Sequence, residues 1–255
     1  MIKAIFFDID GTLIPHGQSV IPESVLKALE QLKKNGVRLF IATGRPPMSI
    51  THVTSQFEFD GFLTANGQYC FNNKEVIHEK YIEKESLQQL LPYIQEKEIS
   101  VLFARLDKCF RTKYETIFEK SWPILDEDTI CDEKIVQLMA EIKPEQDEEF
   151  LNHLPGCKSA RWTDAFADII PIVGGKETGI DKIIEYYGIS LDEVMAIGDG
   201  GNDMTMLKHV PYSVAMGNAN EEVKACASYV TTHILDNGIV NAFQHFNLLD
   251  ENFKG

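Results

Sequence analysis

Two aspartates separated by one residue follow a short apolar run near the start of the chain. Residues 4–7 are Ala-Ile-Phe-Phe, and Asp8, Ile9, Asp10, Gly11 and Thr12 come directly after them. Side chains two positions apart in an extended chain point to the same face, so the carboxylates of Asp8 and Asp10 should converge. Two close carboxylates cannot both ionise readily without a cation or a shared proton. The pair predicts a metal site or an acid paired with a nucleophile.

Three further polar clusters stand at the ends of apolar runs or beside the start of a helix. Thr43, Gly44 and Arg45 follow the run 37–41, Lys176 follows two glycines, and residues 198–203 read Gly-Asp-Gly-Gly-Asn-Asp. Ligands bind open parallel sheets at the edge formed by the carboxyl ends of the strands. We therefore expect the four clusters to meet at one such edge.

Strands and helices alternate in both terminal parts of the chain, which predicts a parallel sheet. The N-terminal part is predicted to contain a strand at 3–7, a helix from 22 to 36, a strand at 37–41, a helix opened by Pro46 and Pro47, and a strand at 61–65. Turn residues at 66–67 and 72–73 then predict a hairpin flap. The C-terminal part is predicted to contain helices at 177–187, 204–207 and 221–225 and strands at 194–197 and 212–215.

In the middle of the chain, strands and helices do not alternate; instead, consecutive strands are predicted between helices. Its predicted elements are a helix containing Pro92, strands within 99–110 and 135–142, an acidic helix after Pro144, and strands at 158–163 and 166–170. The predicted fold is α/β, with a discontinuous Rossmann-like parallel-sheet core at 1–81 and 174–255 and an inserted α+β cap domain at 82–173.

The bulk composition excludes several classes of protein. The 255 residues carry a formal net charge of -15 with no concentration of Lys and Arg, which disfavours nucleic-acid binding. The five cysteines are scattered without Cys-x-x-Cys spacing, which argues against a disulfide framework or a zinc site. The sequence lacks a signal-peptide core and a stretch of roughly 20 apolar residues, so we expect a cytoplasmic protein without a membrane partner.

Together the four clusters resemble the haloacid dehalogenase superfamily, whose motifs are Asp-x-Asp-Gly-Thr, a Ser or Thr after the second strand, a Lys, and Gly-Asp-x-x-x-Asp. All four occur here in order. Residues 42–45, 198–207 and 215–219 look like the Cof-type sugar-phosphatase branch, which carries a type IIB-like cap between the second and third motifs, where the insert lies. Gln68 departs from this branch, because Asn66-Gly67 is usually followed by Ala.

The resemblance implies a role for each matching residue. Asp8 would be the nucleophile that forms an aspartyl-phosphate, and Asp10 would be the general acid/base. The implied cofactor is Mg²⁺, with Asp8, the backbone carbonyl of Asp10, and Asp199 as ligands and Asp203 supporting them or reaching the metal through a water. The implied phosphate-binding residues are Thr43 with the neighbouring Gly44, Lys176 and Asn202. For Arg45 two interpretations stay open, a phosphate or substrate contact and an ordinary salt bridge.

The resemblance implies a Mg²⁺-dependent phosphatase that acts on small phosphorylated metabolites, notably sugar phosphates, as a monomer or small homo-oligomer. A phosphomutase of the same superfamily and a non-catalytic phosphometabolite-binding protein are the alternatives. We expect the cap to select the substrate. Its candidate contacts are Arg111, Arg161, Asp164 and Asp168, for which solvated strand ends and salt bridges are the competing interpretation.

Overall fold

A computed structural model describes residues 1–250, 252 and 253. The described residues form these strands, in chain order: β1 (Ala4–Phe7), β2 (Arg38–Ala42), β3 (Gly61–Thr64), β4 (Tyr69–Phe71), β5 (Val76–Glu79), β6 (Val101–Ala104), β7 (Cys109–Arg111), β8 (Gln137–Ala140), β9 (Cys157–Ala160), β10 (Ala167–Pro171), β11 (Val194–Gly198), β12 (Tyr212–Ala215) and β13 (Tyr229–Val230). The α-helices are α1 (Glu23–Lys34), α2 (Thr51–Thr54), α3 (Lys84–Glu96), α4 (Asp147–Asn152), α5 (Lys176–Tyr187), α6 (Met204–His209), α7 (Glu221–Lys224) and α8 (Gly238–His245).

The larger of the two sheets has the strand order β13-β12-β11-β1-β2-β3-β4-β5. The six strands from β13 to β3 are parallel, with β1 between β11 and β2. Phe6 and Phe7 belong to different apolar clusters because successive side chains point to opposite faces of a strand. Helices cover both faces, which explains the uninterrupted apolar run of β1. The predicted α/β fold with a parallel-sheet core is confirmed.

The hairpin predicted after the third strand is present as β4 and β5, and because β4 also pairs antiparallel with β3, the hairpin extends the sheet at its edge. One local prediction differs from the structure. The helix expected from Pro46 onward is only a 3₁₀ turn at Pro47–Ser49 followed by the four-residue α2. Ser49 and Thr51 are weak helix formers, so the proline signal is not followed by a long helix. β13 and α8 were not predicted.

The smaller sheet is antiparallel, with the strand order β7-β6-β8-β10-β9. One face packs on helices, where Leu138 of β8 joins the apolar cluster that includes Leu90 of α3 and Phe150 of α4. Gln137 and Met139 alternate with Leu138 and face a cavity toward the larger sheet. The division of the chain at 82 and 174 stays a prediction, and residues 251, 254 and 255 of its last segment lie outside the described residues.

Among the described residues, no helix combines the length and the apolar character needed to cross a lipid bilayer.

Candidate active site

The first aspartate lies where the central strand of the larger sheet ends. The backbone amide of Asp8 donates to the carbonyl of Ile197 on β11 at 3.0 Å. Gly11 turns the chain with a φ of +82°, and a Cβ at this position would lie 2.1 Å from Oδ2 of Asp199. Glycine therefore permits both the left-handed turn and the close approach of the loops that follow β1 and β11.

Lys176, the first residue of α5, is buried and bridges two carboxylates. Its Nζ donates to Oδ1 of Asp8 at 2.7 Å and to Oδ1 of Asp203 at 2.5 Å. Burial on its own lowers the pKa of Lys176, but the carboxylates of Asp203 and Asp8 outweigh burial and hold the pKa above its usual range. The ammonium group is therefore charged and fixed beside the candidate nucleophile.

The carboxylates of Asp8, Asp199 and Asp203 form a cluster that could hold a metal ion. One oxygen of each lies within 4.8 Å of the others. Asp199 is oriented by the Thr12 hydroxyl, which donates to its Oδ1 at 2.7 Å, and by Nδ2 of Asn218, which donates to its Oδ2 at 3.2 Å. The position of the cluster is therefore supported by neighbouring side chains that hold its carboxylates in one orientation.

The three carboxyl groups of this cluster lie too close together and too deeply buried to ionise readily without a nearby cation. Burial is the largest influence on Asp8 and raises its pKa well above the ordinary range; Lys176 opposes this effect, and Asp203 and Asp199 reinforce it. Burial, reinforced by Asp203, also raises the pKa of Asp199 to about 6. A divalent ion would stabilise the ionised forms, and carboxylate oxygens are the donors that Mg²⁺ prefers. The donor set fits Mg²⁺.

Asp203 is held more completely than the other two carboxylates. Its Oδ2 accepts hydrogen bonds from the backbone amides of Asp199 at 3.0 Å and Gly200 at 2.8 Å, while Oδ1 accepts from Lys176. Because its two oxygens already accept three hydrogen bonds, against two for Asp199, Asp203 is suited to contact a metal through a water molecule.

Asp10 forms an ion pair with Arg45 at the cavity. Nε and Nη2 of Arg45 each donate to a different oxygen of Asp10 at 2.7 Å, and Nη1 donates to the carbonyl of Ser49 at 3.2 Å. The hydrogen bond with Asp10 raises the pKa of Arg45. The side chain of Asp10 is outside the three-carboxylate cluster, which leaves its backbone carbonyl as the predicted metal-binding group.

The predicted phosphate-binding residues surround the same edge. The buried Thr43 lines the cavity, and its Oγ1 accepts from the backbone amide of Arg45 at 3.1 Å. Gly44 and Asn202 also line the cavity. Lys176 is hydrogen-bonded to Asp8, which lines the same cavity, so the structure brings together the site residues predicted for the four motif clusters.

A buried polar network joins this edge to the smaller sheet. Nδ2 of Asn66 donates to Oε1 of Gln137 at 3.0 Å and to Oδ2 of Asp168 at 3.0 Å. Oδ1 of Asn66 accepts from Nδ2 of Asn202 at 3.0 Å, and Nε2 of Gln137 donates to the carbonyl of Gly44 at 3.2 Å. Asn66 has a φ of 52°, a left-handed conformation that asparagine tolerates better than most residues. The cap and the loops that hold the predicted phosphate-binding residues are therefore tied by side-chain hydrogen bonds.

The cavity has a volume of about 360 Å³ and is lined from both sheets. This volume suits a small ligand. The cap side is formed by one carboxylate, one amide and three apolar or aromatic side chains: Asp168, Gln137, Met139, Trp162 and Phe166. Of the residues that sequence reasoning missed, His16 is an exposed residue of the core side whose Nε2 lies 3.9 Å from Oδ2 of Asp199.

Three of the four candidate substrate contacts in the cap do not line the cavity. The guanidinium of Arg161 binds Asp147 and three backbone carbonyls, and that of Arg111 donates to the carbonyls of Trp122 and Thr112. Asp164 is exposed. Salt bridges, backbone carbonyls and solvent satisfy these charges, so only Asp168 of the four faces the cavity.

Signals for some of the missed residues were present in the sequence. Thr12 and Asn218, which orient Asp199, belong to motifs that carry the family resemblance. Gln137 is a polar residue inside an otherwise apolar strand, a pattern that indicates a buried hydrogen-bonding or binding position. Trp162 and Phe166 give no comparable signal, because their role depends on how the cap packs against the core.

A parallel-sheet core with acidic loops at its carboxyl edge and a cap over the cavity defines a class of phosphoryl-processing hydrolases. Residues 5–243 match the family model described as haloacid dehalogenase-like hydrolase. The chain therefore belongs to the haloacid dehalogenase-like hydrolases and, within them, to the phosphatases. The family predicted from the motifs is confirmed.

Individual relatives agree with this assignment over nearly their whole length. The chain is 31% identical to the Bacillus subtilis (strain 168) protein named "Putative phosphatase YkrA", an alignment that covers 97% of this chain and 98% of the relative. It is 27% identical to 5-amino-6-(5-phospho-D-ribitylamino)uracil phosphatase YcsE of the same organism, over 97% of this chain and 96% of the relative. The solved structure of the subclass IIB sugar phosphatase BT4131 is 36% identical, has a TM-score of 0.91, and covers 97% of this chain and 100% of its own.

Proposed function

We propose that this phosphatase hydrolyses small phosphorylated metabolites, sugar phosphates among them, with Mg²⁺ and through a phosphoryl group carried on Asp8. The observation that carries the proposal is the buried cluster in which Lys176 bridges Asp8 and Asp203 within reach of Asp199. The naming of one relative as a sugar phosphatase and another as a phosphatase of a ribityl compound supports the substrate class.

The proposed reaction has two displacement steps at phosphorus. A carboxylate oxygen of Asp8 attacks the phosphorus atom, the bond to the leaving oxygen breaks, and protonated Asp10 gives its proton to that oxygen. In the second step ionised Asp10 takes a proton from a water, whose oxygen attacks the phosphorus and breaks the bond to Asp8. Inorganic phosphate leaves, and both aspartates return to their starting states.

The other site residues hold charge in place during these steps. Lys176, Thr43 with the amide of Gly44, and Asn202 would hold the phosphoryl oxygens, and Arg45 would keep the Asp10 carboxyl in position. Bound Mg²⁺, held by Asp8, Asp199 and the carbonyl of Asp10 with help from Asp203, would neutralise charge on the same oxygens. The core side of the site carries, among the described residues, four aspartates but only two cationic side chains, Lys176 and Arg45. It therefore needs the positive charge of Mg²⁺ to accept a phosphate.

The proposed setting follows from the charge of the chain and from its cysteines. A net charge of -15 disfavours polyanionic partners such as nucleic acid, which favours a small phosphorylated substrate. The five cysteines show no disulfide spacing, which favours the cytoplasm. The protein is proposed to act as a monomer or small homo-oligomer.

Hydrolysis of p-nitrophenyl phosphate tests the proposal. We expect turnover with Mg²⁺, loss of turnover with a chelator, and recovery when Mg²⁺ is restored. Asp8→Asn should lower kcat by at least roughly 1,000-fold, since an amide cannot replace the nucleophile. Asp192→Asn makes the same chemical change at an exposed residue just before β11 and should leave kcat at the wild-type value.

Three results would point elsewhere. Full activity of Asp8→Asn would exclude the covalent route. A requirement for a bisphosphate activator, with isomerisation faster than hydrolysis, would indicate a phosphomutase. Saturable binding of phosphorylated compounds without turnover on a broad panel would indicate a binding protein.

A further inference from the structure

The cap side of the cavity differs in charge from the side that processes phosphate. The five cap residues that line it include one acidic side chain, Asp168, and no basic one. None of the three arginines of the cap lines the cavity: Arg161 is paired with Asp147, Arg105 with Asp107 and Glu133, and Arg111 donates to backbone carbonyls. A leaving group under this cap would therefore meet a carboxylate, an amide and apolar surface.

Asp168 is buried, with 3% of its surface exposed, and it lines the cavity. Its Oδ2 accepts a hydrogen bond from Asn66, while no donor among the described side chains is bonded to Oδ1. Because Asp168 lines the cavity, an oxygen without a protein partner can accept hydrogen bonds from a bound molecule. Hydroxyl groups of a bound ligand would supply them.

Gln137 is more fully engaged within the protein than Asp168. Its Oε1 accepts from Asn66 and its Nε2 donates to the carbonyl of Gly44, so each end of its amide already has a protein partner. Gln137 therefore ties the cap to the loop that holds Gly44. Asp168 differs from it in having one whole oxygen atom without a partner in the described part of the protein.

An aromatic pair completes the cap side. The rings of Trp162 and Phe166 meet edge to face with centroids 5.4 Å apart. Aromatic faces attract the weakly positive C–H groups of a ligand, as well as offering apolar contact. A carboxylate beside aromatic surface suits a molecule that carries hydroxyls on an apolar carbon frame.

We propose that Asp168 is the specificity-determining residue of the site: it accepts hydrogen bonds from hydroxyl groups of the leaving group and excludes substrates that carry a second phosphate there. This inference rests on the proposed phosphatase function and names the part of the substrate that the cap recognises. A second phosphate would bring two negative charges toward Asp168, where the cap offers no cation to offset them.

The assay is best run at pH 8. Burial raises the pKa of Asp168 to about 7, opposed by the hydrogen bond from Asn66 and by the charge of Lys176. At pH 8 the carboxylate is ionised, and both phosphates of a bisphosphate are as well. The expected discrimination is then at its largest.

The test measures kcat/KM for three kinds of substrate with Mg²⁺. The first is p-nitrophenyl phosphate, which has no hydroxyls on its leaving group. The second is the sugar monophosphates glucose 6-phosphate, fructose 6-phosphate and ribose 5-phosphate. The third is the 1,6-bisphosphates of glucose and fructose. For the wild-type protein, we take the hexose monophosphate with the higher kcat/KM and compare it with the 1,6-bisphosphate of the same hexose. We expect kcat/KM for the monophosphate to be at least about tenfold higher. Asp168→Asn should lower kcat/KM for the sugar monophosphates about tenfold more than for p-nitrophenyl phosphate, since it replaces an accepting oxygen by a donor.

Asp164→Asn is the matched control, because it makes the same change at an exposed cap residue outside the cavity. It should leave all of the ratios at their wild-type values. Equal losses on every substrate in Asp168→Asn would reduce Asp168 to a positioning residue for Asn66 and overturn the proposal. Bisphosphates hydrolysed as fast as monophosphates by the wild-type protein would overturn it without any variant.

A binding arm separates this inference from the phosphatase function. In Asp8→Asn, the affinities of glucose 6-phosphate and glucose 1,6-bisphosphate can be compared by calorimetry without turnover. We expect Asp8→Asn to bind the monophosphate more tightly than the bisphosphate, and the double variant Asp8→Asn, Asp168→Asn to lose this preference. That result supports the specificity role of Asp168 even if no hydrolysis is found. Equal affinities would overturn it even if hydrolysis is found.

Discussion

The two sides of the cavity satisfy their charges in different ways. On the core side Lys176 is paired with Asp8 and Asp203, and Arg45 is paired with Asp10. On the cap side the hydrogen-bond partner of the one carboxylate is a neutral amide. Charge pairs fix the geometry of the core side before a substrate arrives, whereas the cap side leaves an acceptor unfilled.

This difference separates reaction from selection. A change on the core side alters groups that every phosphate monoester would meet, so it should affect all substrates by a similar factor. A change on the cap side alters groups that meet only the leaving group, so it should affect substrates unequally.

The largest effect is expected for Lys176→Met, which removes the ammonium and leaves two buried carboxylates facing each other. Breaking a buried ion pair by removing one partner costs about 3–5 kcal/mol in the free energy of unfolding. Loss of a fixed positive group at the phosphoryl oxygens should lower kcat by roughly 100- to 1,000-fold. Urea denaturation and kcat with p-nitrophenyl phosphate and a sugar phosphate, corrected for the folded fraction, check both effects.

Lys182→Met on the same helix is the control, because Lys182 is exposed and its ion pair among residues 1–250, 252 and 253 is a surface contact with Glu185. Its effect on stability should stay within about 0.5 kcal/mol. If Lys176→Met lowered kcat for one substrate and spared another, the core side would take part in selection and the comparison would fail.

The next largest effect is the pH dependence of the free energy of unfolding that arises from Asp168 on the cap side. The pKa of Asp168 rises from 3.8 to about 7 on folding, so between these values the folded state holds more protons than the unfolded state. Stability from this group then falls as pH rises, by up to about 1.4 kcal/mol per pH unit and roughly 4 kcal/mol in all. Asp168→Asn cannot titrate, so it should gain in stability relative to the wild-type protein from pH 4 to pH 8.

Urea denaturation of both proteins at several pH values measures this difference. Asp8 and Asp199, whose pKa values are also raised, act with the same sign in both proteins and cancel from the comparison. Asp164→Asn should run parallel to the wild-type protein. A constant difference between wild-type protein and Asp168→Asn across the range would mean that Asp168 is not held neutral by its burial.

The same contrast explains what could be predicted from the sequence. The residues of the core side follow strands within a few positions, so local motifs identify them without knowledge of the packing. β1 reads as a strand because it is apolar on both faces, and its carboxyl end places Asp8 at the sheet edge.

For the cap, the sequence predicted the mixture of helices and consecutive strands but not which residues face the cavity. Whether a cap residue faces the cavity depends on strand register, as in the pairing of Asp168 with Met139, and on how the small sheet lies over the core. Arg161 illustrates the limit, since its charge suggested a substrate contact but is satisfied by Asp147 and nearby carbonyls within the cap.

A third effect tests the proposed metal site of the core side. Mg²⁺ that binds only the folded state should raise the free energy of unfolding, by about 2.7 kcal/mol at a concentration 100 times Kd. Asp199→Asn removes the charge of a proposed ligand and should reduce this gain at the same Mg²⁺ concentration, while Asp192→Asn should keep it. Calorimetric melting with and without Mg²⁺ measures the gain, and equal gains in Asp199→Asn and wild-type protein would remove Asp199 from the ligand set.

The smallest effect decides between the two interpretations of Arg45. Lysine keeps the charge but cannot reproduce the two parallel hydrogen bonds to Asp10, so Arg45→Lys should lower kcat about tenfold for every substrate while KM changes little. Arg38→Lys, at the exposed start of β2, is the matched control and should keep both constants. A higher KM with an unchanged kcat would mean that Arg45 binds phosphate rather than positioning Asp10, and a higher KM for one leaving group alone would extend selection to the core side.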